Sequence, residues 1–539
     1  MARKTKEVDV VVVGAGNGGM GAALEASSKG MKTLLIDRHN IPGGAASSFV
    51  RGRFEFECSL HEAAQVGKKG NRDLYGQYLD DYGVDIDWFY EDYTYRYISP
   101  TEGVDVLMPI GVEPFIAKME ETVPGSRKSM EEFFEIAENA FEGFMYMAKN
   151  APEPYFEGTA SERQDKIRNN LQLTKLKGVL AAKYMNTLRS GSVTIKEALD
   201  MIGVPDEAQH ILYLYWCYLG APPSEMDFMS FIIVLMAYIK HGAAFPHMNS
   251  HEISLACTDR IYKNGGEIWY DTEVKEMIMQ GDKVVGVRTD NWDVYAKEVI
   301  ANINPHIVLG TMMNQENVAK PVQRYYSHRR TAVKLQTMYV GLDCSAEELG
   351  LSTYSNFIVQ IPDGDELYSK MRGTYNTDFL IVNCLNTLVP DASPEGTCTL
   401  FFTGGSYEED PFDKVKPEDY YKLKRQYAKD MIEIAEENLH IDIKSHVEEL
   451  EVALAPTFAR YMGTPNGTPY GFAMKTNDGI MMRAMNEIEN HQIPGLHFCG
   501  AATTLTDGYS TSFISGAMSA DYAVRKINAE KTKKRSLGR

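Results

Sequence analysis

A chain of 539 residues is too long for one simple core, so we expect two or more domains. The composition is that of a globular protein, with 44% hydrophobic and 24% charged residues, and the net charge of −19 argues against a nucleic-acid binder, which should attract phosphate. The seven cysteines form no CxxC pair, which favours free thiols in a reducing compartment and indicates no metal site.

The chain opens with a predicted strand, a glycine-rich turn, a helix and a second strand. The apolar run Val8–Val13 is typical of a parallel strand that is buried on both faces. A helix of small residues is predicted over Met20–Ser28, and a second strand over Thr33–Ile36. This order is that of the first unit of a dinucleotide-binding fold.

The turn between them has the spacing G-x-G-x-x-G. Gly14 permits the tight turn, Gly16 lets the backbone approach a pyrophosphate, and Gly19 lets the helix pack on the strand. The start of the helix offers unpaired N–H groups to phosphates. Asp37, followed by Arg38, stands where an acidic residue accepts hydrogen bonds from ribose hydroxyls. The motif predicts a dinucleotide site but does not separate FAD from NAD.

A second glycine pair favours FAD. In "IPGGAASSF", the pair after the acidic strand resembles the second glycine pair of the flavoproteins related to glutathione reductase and the amine oxidases. A nicotinamide dehydrogenase has no need of this pair. The resemblance implies that bare backbone at Gly43, Gly44 and Ala45 runs past the FAD pyrophosphate, and that Ser47 and Ser48 add hydroxyl donors.

Four segments in order resemble the phytoene desaturase, carotenoid isomerase and retinol saturase family. They are "PGGAASSF…GRFEFECSLHE", the returning segment 264–305, "APTFARYMGTPNGTPYGFAM", and the closing "IPGLHFCGAATTLTDGYSTSFISGAMSADYA". The matching motifs extend from residue 8 to residue 527. Two departures concern Ala45, where many relatives carry a basic residue, and residues 505–510, which are more polar than in many relatives.

The resemblance implies an α/β fold, in which a Rossmann-type FAD-binding domain of the glutathione reductase and amine oxidase kind carries an inserted α+β substrate domain. The FAD-binding domain would comprise residues 1–100, 250–305 and 484–539, and the substrate domain residues 101–249 and 306–483. Strands of the substrate-domain sheet are predicted within 331–343 and 378–388.

The same resemblance implies how FAD is held, without a covalent bond. A Thr-x-Val strand brings Val274 to the adenine side, and the closing turn passes beside the flavin ring. The residues of that turn expected at FAD are Gly500, Ala501, Gly508, Tyr509, Ser510 and Thr511. Cys499, just before the turn, is expected to be a small buried filler.

Four residues in the motifs expected to flank the flavin are candidates for proton transfer. His61 matches a histidine of the retinol saturase-like members and is either a proton donor or a structural histidine. Glu62 either sets the tautomer of His61 or is a solvated or capping carboxylate. Tyr509 is a candidate phenol donor, and Asp507 either assists it or only satisfies loop N–H groups.

The resemblance implies an FAD-dependent oxidoreductase that reduces or introduces a carbon–carbon double bond in a largely apolar substrate. The polar residues 505–510 favour a substrate that also bears an oxygen function. The alternatives are a flavin-dependent double-bond isomerase without net redox, a flavin amine oxidase, and a prenyl-lipid carrier without FAD. The intact glycine motifs argue against the carrier.

Partners and location follow from the remaining features. No second pyridine-nucleotide domain is evident, so electrons are expected to pass to or from a separate carrier. The N-terminus shows no signal peptide, which predicts a cytoplasmic protein. The two apolar helical stretches within residues 210–242, a predicted lid, are either buried core helices or a functional surface, which would be a tunnel wall or a patch that dips into a membrane surface. The core and tunnel interpretations are compatible. The basic tail 530–539 is either a disordered terminus or a headgroup anchor, and nothing indicates the oligomeric state.

Overall fold

The computed structural model describes residues 3–150, 165–166, 168–374, 376–407, 412, 415–489, 493–505 and 508–537. Its strands, in chain order, are β1 (Lys4–Val13), β2 (Thr33–Ile36), β3 (Ser48–Arg51), β4 (Phe54–Glu57), β5 (Ala63–Ala64), β6 (Gly67–Lys68), β7 (Asn71–Arg72), β8 (Trp88–Tyr90), β9 (Tyr93–Ser99), β10 (Val104–Pro109), β11 (Ala243–Pro246), β12 (Glu267–Trp269), β13 (Glu276–Gln280), β14 (Lys283–Arg288), β15 (Trp292–Ala301), β16 (Lys334–Leu342), β17 (Ser355–Val359), β18 (Phe379–Cys384), β19 (Cys398–Ser406), β20 (Val447–Ala453) and β21 (Leu496–Phe498).

The helices lie between these strands and after the last of them. They are α1 (Asn17–Ser28), α2 (Leu74–Tyr82), α3 (Val112–Thr122), α4 (Arg127–Asn150), α5 (Leu171–Lys183), α6 (Met185–Ser190), α7 (Ile195–Ile202), α8 (Asp206–Leu212), α9 (Trp216–Leu219), α10 (Phe228–His241), α11 (Asn249–Lys263), α12 (Pro305–Ile307), α13 (Lys320–Ser327), α14 (Ala346–Leu349), α15 (Gly364–Lys370), α16 (Pro417–Leu439), α17 (Ala455–Met462), α18 (Ile480–Glu489) and α19 (Tyr509–Leu537). One π-helical turn, Val308–Met312, follows α12.

The first sheet is built around the predicted N-terminal strand. Its order is β12-β2-β1-β15-β14-β13, with β21 also paired to β15, and β1 runs parallel to both β2 and β15. Residues 10–13 of β1 are buried because helices α1, α11 and α19 cover one face of the sheet and an apolar cluster around β14 and α13 covers the other. The predicted Rossmann-type unit is confirmed.

The second sheet has the order β10-β9-β17-β18-β19-β16-β20, in which only β9 and β17 pair in parallel. Helix α16 packs on one face, and the other face meets the helical region between α3 and α10. Strands β16 and β18 lie within the stretches where the sequence predicts them. Strand β9 lies before residue 100, where the sequence predicts the first domain to end, but it belongs to this second sheet. Its Tyr95 and Tyr97 are buried in the apolar cluster on the helical face of the sheet.

Helix α10 comprises the second of the two apolar stretches. Ten of its fourteen residues are buried, and Asp227 caps it by accepting hydrogen bonds from the N–H groups of Met229 (3.3 Å) and Ser230 (3.0 Å). A helix that is apolar on all sides is stable only inside a core. This stretch is therefore largely interior, whereas peripheral contact with a membrane stays a prediction. Among the described residues, every helix is too short or too polar to cross a membrane.

The closing helix α19 packs tightly on α1. A Cβ atom on Gly516 would lie 1.8 Å from the carbonyl oxygen of Gly18, and one on Gly21 would lie 2.2 Å from the carbonyl oxygen of Phe513. The two backbones therefore touch, which fixes the start of α19 beside the glycine-rich turn. The helix continues to Leu537, so the basic tail begins as helix and not as a disordered terminus.

Substitution of Gly516 by Ala should force the two helices apart, since neither contacting backbone can move alone. We expect a loss of about 2–3 kcal/mol of local packing free energy and a lower thermal unfolding midpoint. Gly178, exposed in α5 with no atom within 4 Å of an added Cβ, is the control: Gly178→Ala should stabilise by about 0.5–1 kcal/mol. Equal midpoints for the two variants would contradict the packing of α1 and α19.

Candidate functional site

One continuous space runs from the edge of the first sheet to helix α10. This central cleft has a volume of about 370 Å³, in the range of ligand sites. One end is lined by the turn after β1, the residues after β2 and the start of α19. The other end is lined by residues of α10, by Leu335 of β16 and by the loop that follows β4. The cleft therefore joins the two domains.

The glycine motifs lie side by side at the first end. Gly43 N–H donates to the carbonyl of Ala15 at 2.8 Å, which pairs the second glycine segment with the first, and the positive φ of +113° at Gly43 is one that few other residues adopt. Helix α1 begins at Gly16 without a side-chain cap, so its first N–H groups stay available. The arrangement forms a side-chain-free surface at a helix N-terminus, which is what a pyrophosphate needs.

Asp37 and Arg38 close this end. Asp37 accepts hydrogen bonds from the N–H groups of Ala15 (2.5 Å) and His39 (2.7 Å), so its carboxylate faces the glycine turn. Arg38 donates to the carbonyls of Arg460 (3.0 Å) and Tyr461 (2.9 Å). The acidic residue thus stands where the sequence predicts a ribose contact, and the arginine joins the end of α17 to the cleft.

Most other predicted cofactor residues line the same space. They are Gly14, Gly16, Gly43, Gly44, Ala45, Val274, Ala501, Gly508, Tyr509, Ser510 and Thr511. The structure brings these residues together from segments far apart in the chain. Their contacts with FAD remain predictions.

Four predicted cofactor residues do not line the cleft. A Cβ on Gly19 would lie 1.8 Å from the carbonyl oxygen of Gly14, so Gly19 serves the helix–strand contact that the sequence predicts. Gly500 packs against Asn302. The hydroxyl of Ser47 donates to the carbonyl of Gly44 at 2.9 Å, and that of Ser48 to Glu55. The two serines stabilise the loop and do not face the pyrophosphate end.

Asn302 is a site residue that the sequence analysis missed. Its side-chain N–H donates to the carbonyl of Gly14 at 3.3 Å, and its backbone N–H donates to Val13 at 2.8 Å. A Cβ on Gly18 or Gly500 would lie 2.6 or 2.2 Å from its Oδ1 atom. Its place at the end of β15, in the "NINP" exit, was the available signal.

Glu57 is a second missed residue. Its buried carboxylate accepts hydrogen bonds from the N–H groups of Ser59 (3.0 Å), Leu60 (2.8 Å) and Ser250 (2.7 Å), and from the Ser250 hydroxyl (2.8 Å). Burial raises the pKa of Glu57, which the donated hydrogen bonds counteract. The carboxylate holds the end of β4 against the start of α11. It thereby also positions the loop after β4, which carries His61 and Glu62.

Tyr509 is a lining residue of the cleft, and its hydroxyl is hydrogen-bonded to Ala45 and Ser59. The phenol donates to the carbonyl of Ala45 at 2.9 Å and lies 3.0 Å from the Ser59 hydroxyl. Burial raises the pKa of Tyr509 well above its usual range. This geometry favours a structural role over the predicted proton-donor role. Asp507 lies outside the described residues.

His61 and Glu62 line the cleft beside the apolar wall. His61 Nδ1 lies 2.6 Å from the Tyr218 hydroxyl, and burial lowers the pKa of His61 to about 3. The imidazole is therefore neutral near pH 7, which favours a structural histidine. Glu62 is 5% exposed and accepts a hydrogen bond from Tyr215 at 3.1 Å, so it is not the solvated carboxylate that was one of its two predicted roles.

The wall of the far end is apolar and aromatic. It comprises Ile233, Val234, Ala237 and Tyr238 of α10, Leu335 of β16, and the side chains of Tyr218 and Tyr470. Burial raises the pKa of Cys499, which also lines the cleft and is a poor nucleophile for that reason. All seven cysteines carry free thiols.

The sequence is similar to those of several known proteins. A family model described as FAD dependent oxidoreductase matches residues 9–89. The prolycopene isomerase of Daucus carota is 22% identical over 98% of this chain and 82% of its own, and the all-trans-retinol 13,14-reductase of Danio rerio is 24% identical over 94% and 85%. The neurosporene-forming phytoene desaturase of Rhodobacter capsulatus is 23% identical over 94% and 92%.

Solved structures share the fold. An oxidoreductase from Methanosarcina mazei superposes with a TM-score of 0.58 at 16% identity, over 95% of this chain and 99% of its own. Cyclohexylamine oxidase from Brevibacterium oxydans gives a TM-score of 0.59 at 12% identity, over 97% and 99%. At such identities the likeness concerns the fold alone.

Asp37→Ala should weaken FAD binding about 10- to 100-fold, because hydrogen bonds to a charged group contribute roughly 1.5–3 kcal/mol. The measurement is a fluorescence titration of the FAD-free chain with FAD. Asp9→Asn is the control, since Asp9 lies on the same strand β1, accepts from Lys32 N–H at 3.1 Å and does not line the cleft. Wild-type affinity in Asp37→Ala would refute the ribose assignment.

Tyr509→Phe removes the hydrogen bond to Ala45 and should lower the unfolding midpoint, as the loss of about 1 kcal/mol implies. The rate at which bound flavin exchanges electrons with substrate should change by less than about tenfold, since a lost general acid costs more than that. Stopped-flow absorbance gives the rate. If the rate falls about a hundredfold with FAD still bound, Tyr509 is the proton donor and the structural role is wrong.

Proposed function

We propose that this chain, which belongs to the FAD-dependent oxidoreductases of the phytoene desaturase, carotenoid isomerase and retinol saturase family, transfers hydrogen to or from a carbon–carbon bond of a largely apolar substrate. The observation that carries the proposal is the central cleft. It joins a glycine-lined dinucleotide end to an apolar wall in which Glu62 is a buried titratable group.

The residues at the first end fit FAD. The uncapped start of α1 at Gly16, the bare backbone at Gly43 and Gly44, and the acceptor Asp37 supply donors for a pyrophosphate and an acceptor for a ribose. When bound, FAD supplies or accepts a hydride. The protein has to add orientation, exclusion of water and a site for the proton.

The far wall supports an apolar substrate. Ile233 and Ala237 are 7% and 5% exposed, so the part of α10 at the cleft is closed to bulk water. A long unsaturated chain would gain free energy there by the burial of its own apolar surface. The exclusion of water also keeps a reactive carbon from hydrolysis and stray protonation.

The proton site is the polar exception in this wall. His61 is neutral and carries no spare proton, because burial lowers its pKa to about 3. Glu62 is a lining residue of the cleft, and burial raises the pKa of its carboxyl to about 7, a value suited to giving and taking a proton near neutral pH. Glu62 therefore takes the role for which the sequence offered four candidates.

A double-bond isomerase is the second candidate, which the likeness to prolycopene isomerases supports. The same proton site would serve, with no net change in the oxidation state of the flavin. In either case electrons are exchanged with a separate carrier, a quinone or oxygen, whenever net redox occurs.

Photoreduced enzyme, mixed without oxygen with an apolar enoic or polyenoic compound, distinguishes the two reactions. A reductase regains the oxidised flavin spectrum and forms a saturated bond. A desaturase, mixed in its oxidised form with the saturated compound, reduces its flavin and forms a double bond. An isomerase changes the product geometry with the flavin still reduced. If neither flavin nor compound changes with any member of such a series, the proposed function is wrong.

Ala237→Phe adds a ring to the apolar wall and should slow the reaction with substrate at least about tenfold while FAD content stays at the wild-type level, because only the far end of the cleft is filled. Lys240→Ala, at an exposed position of the same helix, should leave the rate unchanged. Wild-type kinetics in Ala237→Phe would place the substrate elsewhere.

A further inference from the structure

Two buried carboxyl groups meet behind the wall of the central cleft. Glu62 lies in the loop after β4, and Glu91 lies in the turn between β8 and β9, where its N–H donates to Ala243 of β11 at 3.1 Å. Each residue is only 5% exposed. Glu62 lines the cleft, whereas Glu91 stands behind it. Glu91 lies in none of the sequence motifs that point to the site.

Within the described part of the chain, three of the four carboxyl oxygens of this pair lack a hydrogen-bond donor. Glu62 Oε1 accepts from the Tyr215 hydroxyl at 3.1 Å, but Glu62 Oε2 and both carboxyl oxygens of Glu91 have no N–H or hydroxyl donor among the described residues. The Glu62 and Glu91 side chains interact with each other. Because two buried carboxylates repel, this contact is favourable only with a proton on one of them.

The surroundings supply no compensating charge. The titratable groups that interact with the pair are Tyr93, Tyr215, Tyr218 and Tyr354, and His61 precedes Glu62 in the chain. No described lysine or arginine is among the neighbours that shift the pKa of either carboxyl. Burial raises the pKa of both carboxyls, and the contact raises that of Glu91 further. Glu91 therefore keeps its proton when Glu62 ionises.

We propose that Glu62 and Glu91 form a proton-sharing pair, in which Glu62 exchanges a proton with a substrate carbon and Glu91 is a positioning residue that stabilises the Glu62 carboxylate through its own O–H. The inference rests on the proposed function for the identity of the carbon. The existence of the pair itself rests on the burial, the contact and the missing donors described above.

In the direction of reduction, the O–H bond of Glu62 would break and its proton would form a C–H bond with the electron pair on one substrate carbon. FAD, when bound, would supply the hydride for the neighbouring carbon. Glu62 retains the negative charge, and the O–H of Glu91 donates to it. Dehydrogenation is the reverse, with Glu62 as the base.

The pair has a signature that needs no substrate. Infrared difference spectra of the FAD-containing chain between pH 5 and 9 should show a protonated carboxyl that ionises near neutral pH. Glu62→Gln should remove this signal. Glu91→Gln should move it to higher pH, because an amide N–H stabilises the Glu62 carboxylate less than the O–H of a second acid does.

Glu25→Gln is the matched control. Glu25 is also a buried carboxyl with a raised pKa, but it accepts from Tyr82 at 2.8 Å and does not line the cleft. This variant should keep the signal of the pair. Spectra of Glu62→Gln and Glu91→Gln identical to wild type would overturn the proposal. Glu62→Gln alone carries the test if Glu91→Gln does not fold.

Stability provides a second readout with a defined sign. Since burial raises the pKa of Glu62 from 4.5 to about 7, the folded chain binds a proton there that the unfolded chain releases, and the stability contributed is lost as pH rises through this window. The unfolding midpoint of Glu62→Gln should therefore fall less between pH 5 and 8 than that of wild type. An equal fall would contradict the pair.

Kinetics separate this inference from the proposed function. With a substrate that exchanges electrons with the flavin, Glu62→Gln should slow that exchange about a hundredfold or more with FAD still bound, and Glu91→Gln should shift its pH profile to higher pH. A titrating pair without any reacting substrate would refute the proposed function and keep the pair. A reacting substrate with unchanged kinetics in both variants would refute the proton role and keep the function.

Discussion

The whole site depends on bare backbone that closes around the amide of Asn302. Gly14 and Gly18 of the first turn and Gly500 of the turn after β21 approach Asn302, and a Cβ atom on any of them would collide with this residue. The contact joins β1, the start of α1 and the turn after β21 at the edge of one sheet. Everything that the cleft offers to a dinucleotide follows from this convergence, because it leaves peptide groups in place of side chains.

The second constraint is that the far end of the cleft is part of a core. Helix α10 is apolar on all sides, which stabilises the substrate domain and at the same time makes the cleft wall. Polar groups in such a wall have to be neutral or hydrogen-bonded. His61 meets this condition by losing its proton, and Glu62 and Glu91 meet it by sharing one. The burial that stabilises the fold thus also sets the proton chemistry.

The parts that could be predicted from the sequence are those determined by local patterns. The turn with Gly14, Gly16 and Gly19, the second glycine pair and the strand that precedes Asp37 are each encoded within a few residues, and the structure places them as expected. The residues that were missed act over long distances in the chain. Glu57 accepts a hydrogen bond from Ser250, and Glu91 interacts with Glu62. The sequence separation within such pairs follows no rule that could have predicted them.

Tyr509 shows a different limit. Its position beside the cleft follows from the closing motif, but the direction of its hydroxyl depends on Ala45, 464 residues away. The same holds for Ser47 and Ser48, whose hydroxyls turn to the loop and not to the cleft. The apolar stretch of α10 was ambiguous because burial in a core and burial in a membrane favour the same residues.

The most direct test of the central claim is the visible spectrum of the purified chain before and after denaturation. The account predicts a yellow protein with a flavin spectrum, which releases a stoichiometric amount of unmodified FAD into the supernatant when it is unfolded, as expected for FAD that is held without a covalent bond. A colourless chain that binds no added FAD would contradict the account, as would a flavin that stays attached to the unfolded chain.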